Sequence, residues 1–249
     1  MHQILVRTAQ VLNHILLFYG LYLIIFQDVS WTWLLVSYAF FFVVGMLGIN
    51  IGYHRLISHK SFKTYKPLEY LFALCGCVTM VGSPIPWVAV HRKHHHHTDT
   101  EDDVHSPHIL GKFKAWFGFW LLRNTIHPKY TSDLRKEKFY LYAHKYYFAI
   151  NILYAGTLAL IDPLLLIFGY AIPAVMILHC TSIIIVIAHI HGYQNHKTGD
   201  ESRNSWIANL ATMGEGWHNN HHANSKAWNT QENWWEFDPP AWIIRLIKV

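Results

Sequence analysis

Three short stretches hold the residues best suited to do chemistry. GYHRLISHKSFKT carries His54 and His59, HRKHHHHTDTEDDVHSPH carries His91, His94 and His95, and GEGWHNNHH carries His218, His221 and His222. The second and third share the spacing HxxHH, and on an α-helix positions i, i+3 and i+4 lie on one face. The last two histidines of each triplet are adjacent, so they diverge by about 100°. One can reach one metal ion while its neighbour reaches another, which suits a pair of metals better than a single ion. The HxxxxH spacing of the first stretch does not align on an α-helical face and predicts a helix end or turn. Neutral imidazoles suit iron, copper and zinc, and neither HExxH nor a cysteine-rich zinc pattern is present. An all-histidine shell with open positions points to redox chemistry with dioxygen more than to hydrolysis. Asp99, Glu101, Asp102 and Asp103 follow the second triplet. Each is a candidate acceptor for a ligand imidazole's second N–H, or part of a solvated acidic face.

The rest of the chain must position these groups. Of its 249 residues, 52% are apolar and only 14% are charged, against about 25% charged in a typical soluble domain. Much of the surface is therefore expected to face lipid. The net charge of +5 comes without a basic polar domain or a nucleic-acid motif, so no nucleic acid is expected as a partner. Cys75, Cys77 and Cys180 sit inside apolar runs, which argues against a disulfide framework. The apolar run after the N-terminus reads as a retained first span.

Four spans are predicted, at about 9–27, 30–52, 146–162 and 165–189. The connections between the first two and the last two hold no Lys or Arg; all 20 of these residues lie elsewhere. The positive-inside rule then puts the N-terminus, the long middle and the tail in the cytoplasm. The expected fold is all-α and integral to the membrane: one domain, 1–249, of two transmembrane hairpins. A cytoplasmic helical cap of 54–145 and 190–249 would carry the histidines. The segment Tyr70 to Val90 is uncharged and long enough to cross, but Gly76, Gly82, Pro84 and Pro86 interrupt it. A crossing there would part the first two histidine stretches, so it is expected to dip and return or to lie in the cap.

With its three boxes in order, the sequence resembles the integral-membrane fatty acid desaturases of the stearoyl-CoA (Δ9) type, especially the short bacterial members, from about Gly45 to Asp238. The resemblance implies two Fe2+ ions on nine histidines, the eight named above and a ninth. That ninth falls at His189 in IIIVIAHIHGY, with His191 close by. It also implies O2 as co-substrate and a fatty acyl substrate, bound to CoA or a lipid. The product would carry a cis double bond, expected at Δ9. No flavin- or nicotinamide-binding motif or haem domain is present, so a ferredoxin or a small haem protein with its reductase would bring electrons to this oxidoreductase. A related histidine-box oxygenase (lipid or alkane hydroxylase, carotenoid ketolase) is the alternative. Ile185 stands where the family often places an asparagine holding a metal-bound water, and Arg123 is followed by Asn124 where animal relatives have Arg-Lys at the CoA phosphates. Arg123, Trp87, Trp116 and Trp217 are candidate substrate contacts. His96 and His97 exceed the box pattern and read as cap or surface residues.

Overall fold

A computed structural model describes residues 2–121 and 126–249, with the side chains of 4–117 and 126–249. Arg123 lies outside the described residues. Among those described, every regular element is helical, and strand-like pairing is limited to isolated bridges joining Tyr193, Asn204 and Trp217.

Among the described residues, three helices are long and apolar enough to cross a bilayer: α1 (His2–Phe26), of which Ile4–Phe26 is the apolar window, α2 (Thr32–Ser58) and α8 (Pro163–Ile190). They pack through Ile24 of α1 against Ile167, Phe168 and Ile172 of α8. Their outward faces carry Ile15, Phe18, Ile25 and Leu35, each more than half exposed. Such a continuous apolar surface is costly in water and ordinary in lipid. The expected fourth span is α7 (Tyr147–Ile161), apolar but only 15 residues long. At 1.5 Å per residue it reaches about 22 Å, short of the roughly 30 Å hydrocarbon layer. Leu160 and Ile161 at its end are 90% and 71% exposed.

The stretch from Tyr70 to Val90 forms no single helix. α3 (Lys66–Cys77) stops, the chain turns through Met80 and Gly82 at positive φ, and α4 (Pro84–His97) begins. Pro84 occupies the first turn of α4, where its missing N–H has no intrahelical partner to lose. α3 lies hard against the second half of α2. A Cβ on Gly48 would stand 2.4 Å from the Gly76 backbone nitrogen, and one on Gly76 would stand 2.2 Å from the Tyr53 ring. This close approach sets where α4 starts, and α4 carries the second histidine stretch.

From Gly45 to Ser58, α2 is π-helical. Its hydrogen bonds close over five residues instead of four, and the His59 N–H donates to the His54 carbonyl at 3.2 Å. Residues five apart thus come nearly into line, and the His54 and His59 rings meet edge to face at 5.0 Å. The sequence predicts a helix end or turn here, and the helix does end at Ser58 with His59 as its C-cap; the π-helical winding before that end is what the spacing does not show.

The remaining described helices of more than four residues are α5 (Lys112–Leu121), α6 (Lys138–Lys145), α9 (Trp206–Thr212), α10 (His218–Ala223) and α11 (Pro239–Ile247). α10 is short and held from outside. Asn204 accepts from the Asn219 and Asn220 backbone N–H groups at its first turn, at 3.0 and 3.2 Å. The Asn219 and Asn220 side chains tie the helix to the loops around 195 and 230, leaving the histidines to face inward.

Candidate metal centre

The end of α2 supplies His54 and His59, α4 supplies His91, His94 and His95, α8 supplies His189, and α10 supplies His218, His221 and His222. Their ring nitrogens converge in two groups, each with its donor atoms within 4.8 Å of one another: His54, His59, His91, His95 and His221 in one, His94, His189, His218 and His222 in the other. The adjacent pairs divide between them, His94 from His95 and His221 from His222. A buried His189 sits among these nitrogens, whereas His191 is exposed. His96 is exposed, and His97 meets the Tyr130 hydroxyl at 3.2 Å; neither joins a group.

Four carboxylates fix tautomers. Nδ1 of His54 lies 2.6 Å from Glu215, that of His94 3.0 Å from Asp103, that of His189 3.0 Å from Asp99, and that of His222 2.8 Å from Asp200. In the neutral ring the Nδ1–H donates and Nε2 keeps a bare lone pair. Those lone pairs point into the two groups. His54 Nε2 stands 3.1 Å from His221 Nε2, which is 3.0 Å from His95 Nε2. His189 Nε2 stands 3.1 Å from His218 Nε2, and the buried His222 Nε2 has no hydrogen-bond partner.

Burial favours the neutral form of His91, His94, His95, His218 and His221. It lowers His91, His95, His218 and His221 well below the ordinary histidine range. Burial and then the neighbouring His105 ring bring His94 down to about 3 in spite of Asp103. At Asp103 and Asp99, burial acts upward but is overcome by the hydrogen bonds from His94 and His189. Both carboxyls therefore stay well below the usual carboxylate range.

This donor set fits metal ions. Two nitrogens, each about 2.1 Å from one ion and at right angles, stand about 3 Å apart, the spacing seen here. Without a cation, lone pairs at that distance repel unless one ring carries the proton.

A mainly apolar cavity meets the histidines. His54, His91, His94, His105, His189 and His218 line it together with Phe41, Ile49, Trp87, Ile177, Ile185 and Met213. Trp87 stacks on His91 at 5.1 Å between ring centroids. The other two candidate tryptophans lie away from this wall. Trp116 donates to His179 Nδ1 at 3.2 Å, and Trp217 donates to the Phe237 carbonyl at 2.8 Å while packing on Trp206. Of the four acidic candidates after the second triplet, Asp99 and Asp103 meet ligand-group imidazoles. Asp102 is 77% exposed and 3.9 Å from His97, and Glu101 is exposed. Glu215, Asp200 and the cavity-lining His105 escaped the sequence reading. Glu215 stands within the GEGWH motif and was open to notice; no local pattern marks Asp200.

The sequence matches the fatty acid desaturase family over residues 30–235. It is 34% identical over 239 residues to an sn-1 stearoyl-lipid 9-desaturase of Anabaena variabilis, covering 92% of this chain and 86% of that one. It is likewise 34% identical to a Δ9 acyl-lipid desaturase of Arabidopsis thaliana, over 92% of this chain and 77% of the relative. An acyl-CoA 5-desaturase of Anemone leveillei is 34% identical, over 94% and 76%.

Proposed function

We propose, from the premise that this chain belongs to the fatty acid desaturase family, that its two histidine groups each hold one Fe2+ ion. His54, His59, His91, His95 and His221 would bind one, and His94, His189, His218 and His222 the other. On this reading O2 is the co-substrate, and a saturated acyl chain on CoA or a membrane lipid gains a cis double bond. Position 9 is the assignment, the one named for the Anabaena and Arabidopsis relatives. The observation that carries the proposal is two converging sets of imidazole lone pairs opening on a single apolar cavity.

When bound, the metal pair supplies the oxidising power, drawn from dioxygen, that an unactivated methylene requires. The protein's part is placement. Phe41, Ile49, Ile177 and Met213 give the chain an apolar bed, and Trp87 packs the wall beside His91. Ile185 keeps that wall apolar where the resemblance leads one to expect an asparagine, so water is held off the reacting methylenes. Glu215, Asp103, Asp99 and Asp200 orient four rings and raise their donor strength. Glu215→Gln is expected to weaken metal retention about 10- to 100-fold, read by chelator competition on the folded, purified protein, since the change also takes one carboxylate from Arg55. Retention equal to the parent's would remove Glu215 from this role.

The proposal includes a short fourth crossing by Tyr147–Ile161, single-domain organisation, and cytoplasmic placement of both termini and the histidine groups. A reporter fused after Val90 should lie on the same side as one fused after His59; opposite sides would contradict this arrangement. The activity itself is tested by expression in a host with saturated lipids, resolving acyl-CoA from each lipid class. New cis-9 olefins are the expected product, and alcohols in their place would favour a hydroxylase.

A further inference from the structure

We infer that an acidic one-electron carrier protein docks on a lysine-bearing face formed by residues 59–64, 223–228 and 247–249, and delivers electrons to the five-histidine group from the side opposite the acyl cavity. This rests on the reading of the histidine groups as an oxygen-activating metal pair. Turning one CH2–CH2 unit into CH=CH removes two hydrogens and two electrons. Reducing O2 to two waters takes four electrons and four protons. The chain therefore needs two further electrons and two protons per turnover. Solvent supplies the protons, and the carrier supplies the electrons one at a time.

The cavity meets the site from one side only. Its walls include His54, His91, His94, His189 and His218, but not His59, His95, His221 or His222. His59 and His95, which do not line the cavity, are half-buried. The three segments beside them are stitched into one surface. Ser61 Oγ donates to the Ser225 carbonyl at 3.3 Å. The Val249 N–H donates to the Lys63 carbonyl at 3.0 Å, and Thr64 Oγ1 to the Ile247 carbonyl at 2.8 Å. Lys248 Nζ sits 3.9 Å over the Trp228 ring.

Lys63, four residues past His59, Lys226, four past His222, and Lys248 are all exposed on this surface. Lys60 is not counted with them, because it is paired at 2.7 Å with Asp133, a carboxylate it shares with Arg92. Three exposed cations with no ion-pair partner among the described residues, on segments that follow His59 and His222 in the chain, attract an anionic partner. Such steering raises association rates by 10- to 1,000-fold and weakens steeply with salt.

The test uses the full-length enzyme in nanodiscs, loaded with iron, and a strongly acidic [2Fe–2S] ferredoxin as donor. Lys63→Glu, Lys226→Glu and Lys248→Glu are combined, with Lys129→Glu/Lys145→Glu as a charge-reversal control on other elements. The triple variant is expected to raise the KM for ferredoxin about tenfold or more and to flatten its salt dependence. Iron content, the KM for the acyl substrate and single-turnover olefin formation driven by dithionite should match the parent. The double control should leave the ferredoxin KM within twofold. A triple variant with unchanged ferredoxin KM and salt dependence overturns the proposal. So does a change in acyl-substrate KM alone, which would assign the lysines to a phosphate-bearing substrate, or a response that tracks the nanodisc's anionic lipid instead of ferredoxin. Equal loss of dithionite-driven turnover also overturns it, since the lysines would then support the site itself. No dithionite-driven olefin from the parent would instead indict the metal-site reading.

Discussion

His189→Ala is expected to abolish olefin formation while the protein still accumulates in the membrane. The ring is 1% exposed, its Nδ1 lies 3.0 Å from Asp99, and its Nε2 faces His218 at 3.1 Å. Truncation would remove one of four donors from the second group and leave the Asp99 carboxylate without its imidazole. Loss of an outer partner of a ligand typically costs 10- to 100-fold; loss of the ligand itself should exceed about 100-fold. Iron bound per chain should fall in the same variant. His191→Ala is expected to stay within about twofold of the parent, because His191 is exposed beyond the end of α8. His96→Ala and His97→Ala should also leave activity largely intact. An active His189→Ala would mean that the second group works with three histidines.

The second large effect is structural. Arg55 is 1% exposed and holds together three parts of the chain. Its guanidinium donates to Glu215 at 2.9 and 3.1 Å, to Asp238 at 2.8 Å, and to the carbonyls of Trp228 and Gly214 at 2.8 and 3.2 Å. Arg55→Leu would strand the Glu215 and Asp238 carboxylates in a buried site. Removing one partner of a buried ion pair costs about 3–5 kcal/mol. The expected result is a fall in the apparent unfolding midpoint in detergent of about 10 °C, at roughly 2–4 °C per kcal/mol for a chain of this size. Arg55→Lys should lose less, and Asp238→Asn added to Arg55→Leu should recover part of the loss. A midpoint within 2 °C of the parent for Arg55→Leu would show that the network contributes little.

Much of the site was legible because its information is local. The HxxHH triplets repeat at helical spacing, and the divergence of adjacent histidines follows from helix geometry alone; the structure indeed parts His94 from His95 and His221 from His222. Three other features depend on long-range packing or unusual winding. The His54–His59 pairing needs a π-helix, and nothing in GYHRLISH signals one. The Asp99–His189 contact spans 90 residues and the Asp200–His222 contact spans 22, so no motif joins them. Trp217 precedes a candidate ligand, yet its indole N–H donates to the Phe237 carbonyl and its ring packs on Trp206. Three long helices follow from apolar length, whereas the apolar run of α7 lies between Lys145 and Asp162 and forms a helix of only 15 residues.

The most direct test of the two-metal account is the number of irons in active enzyme. Protein is purified in detergent, reconstituted anaerobically with Fe2+, and assayed for iron and olefin formation on the same sample. Zinc is excluded during loading, since the affinity order of divalent metals favours it over Fe2+. The expected result is two irons per chain at full activity, each ligated by nitrogen in X-ray absorption spectra. Full activity at one iron per chain would contradict the account.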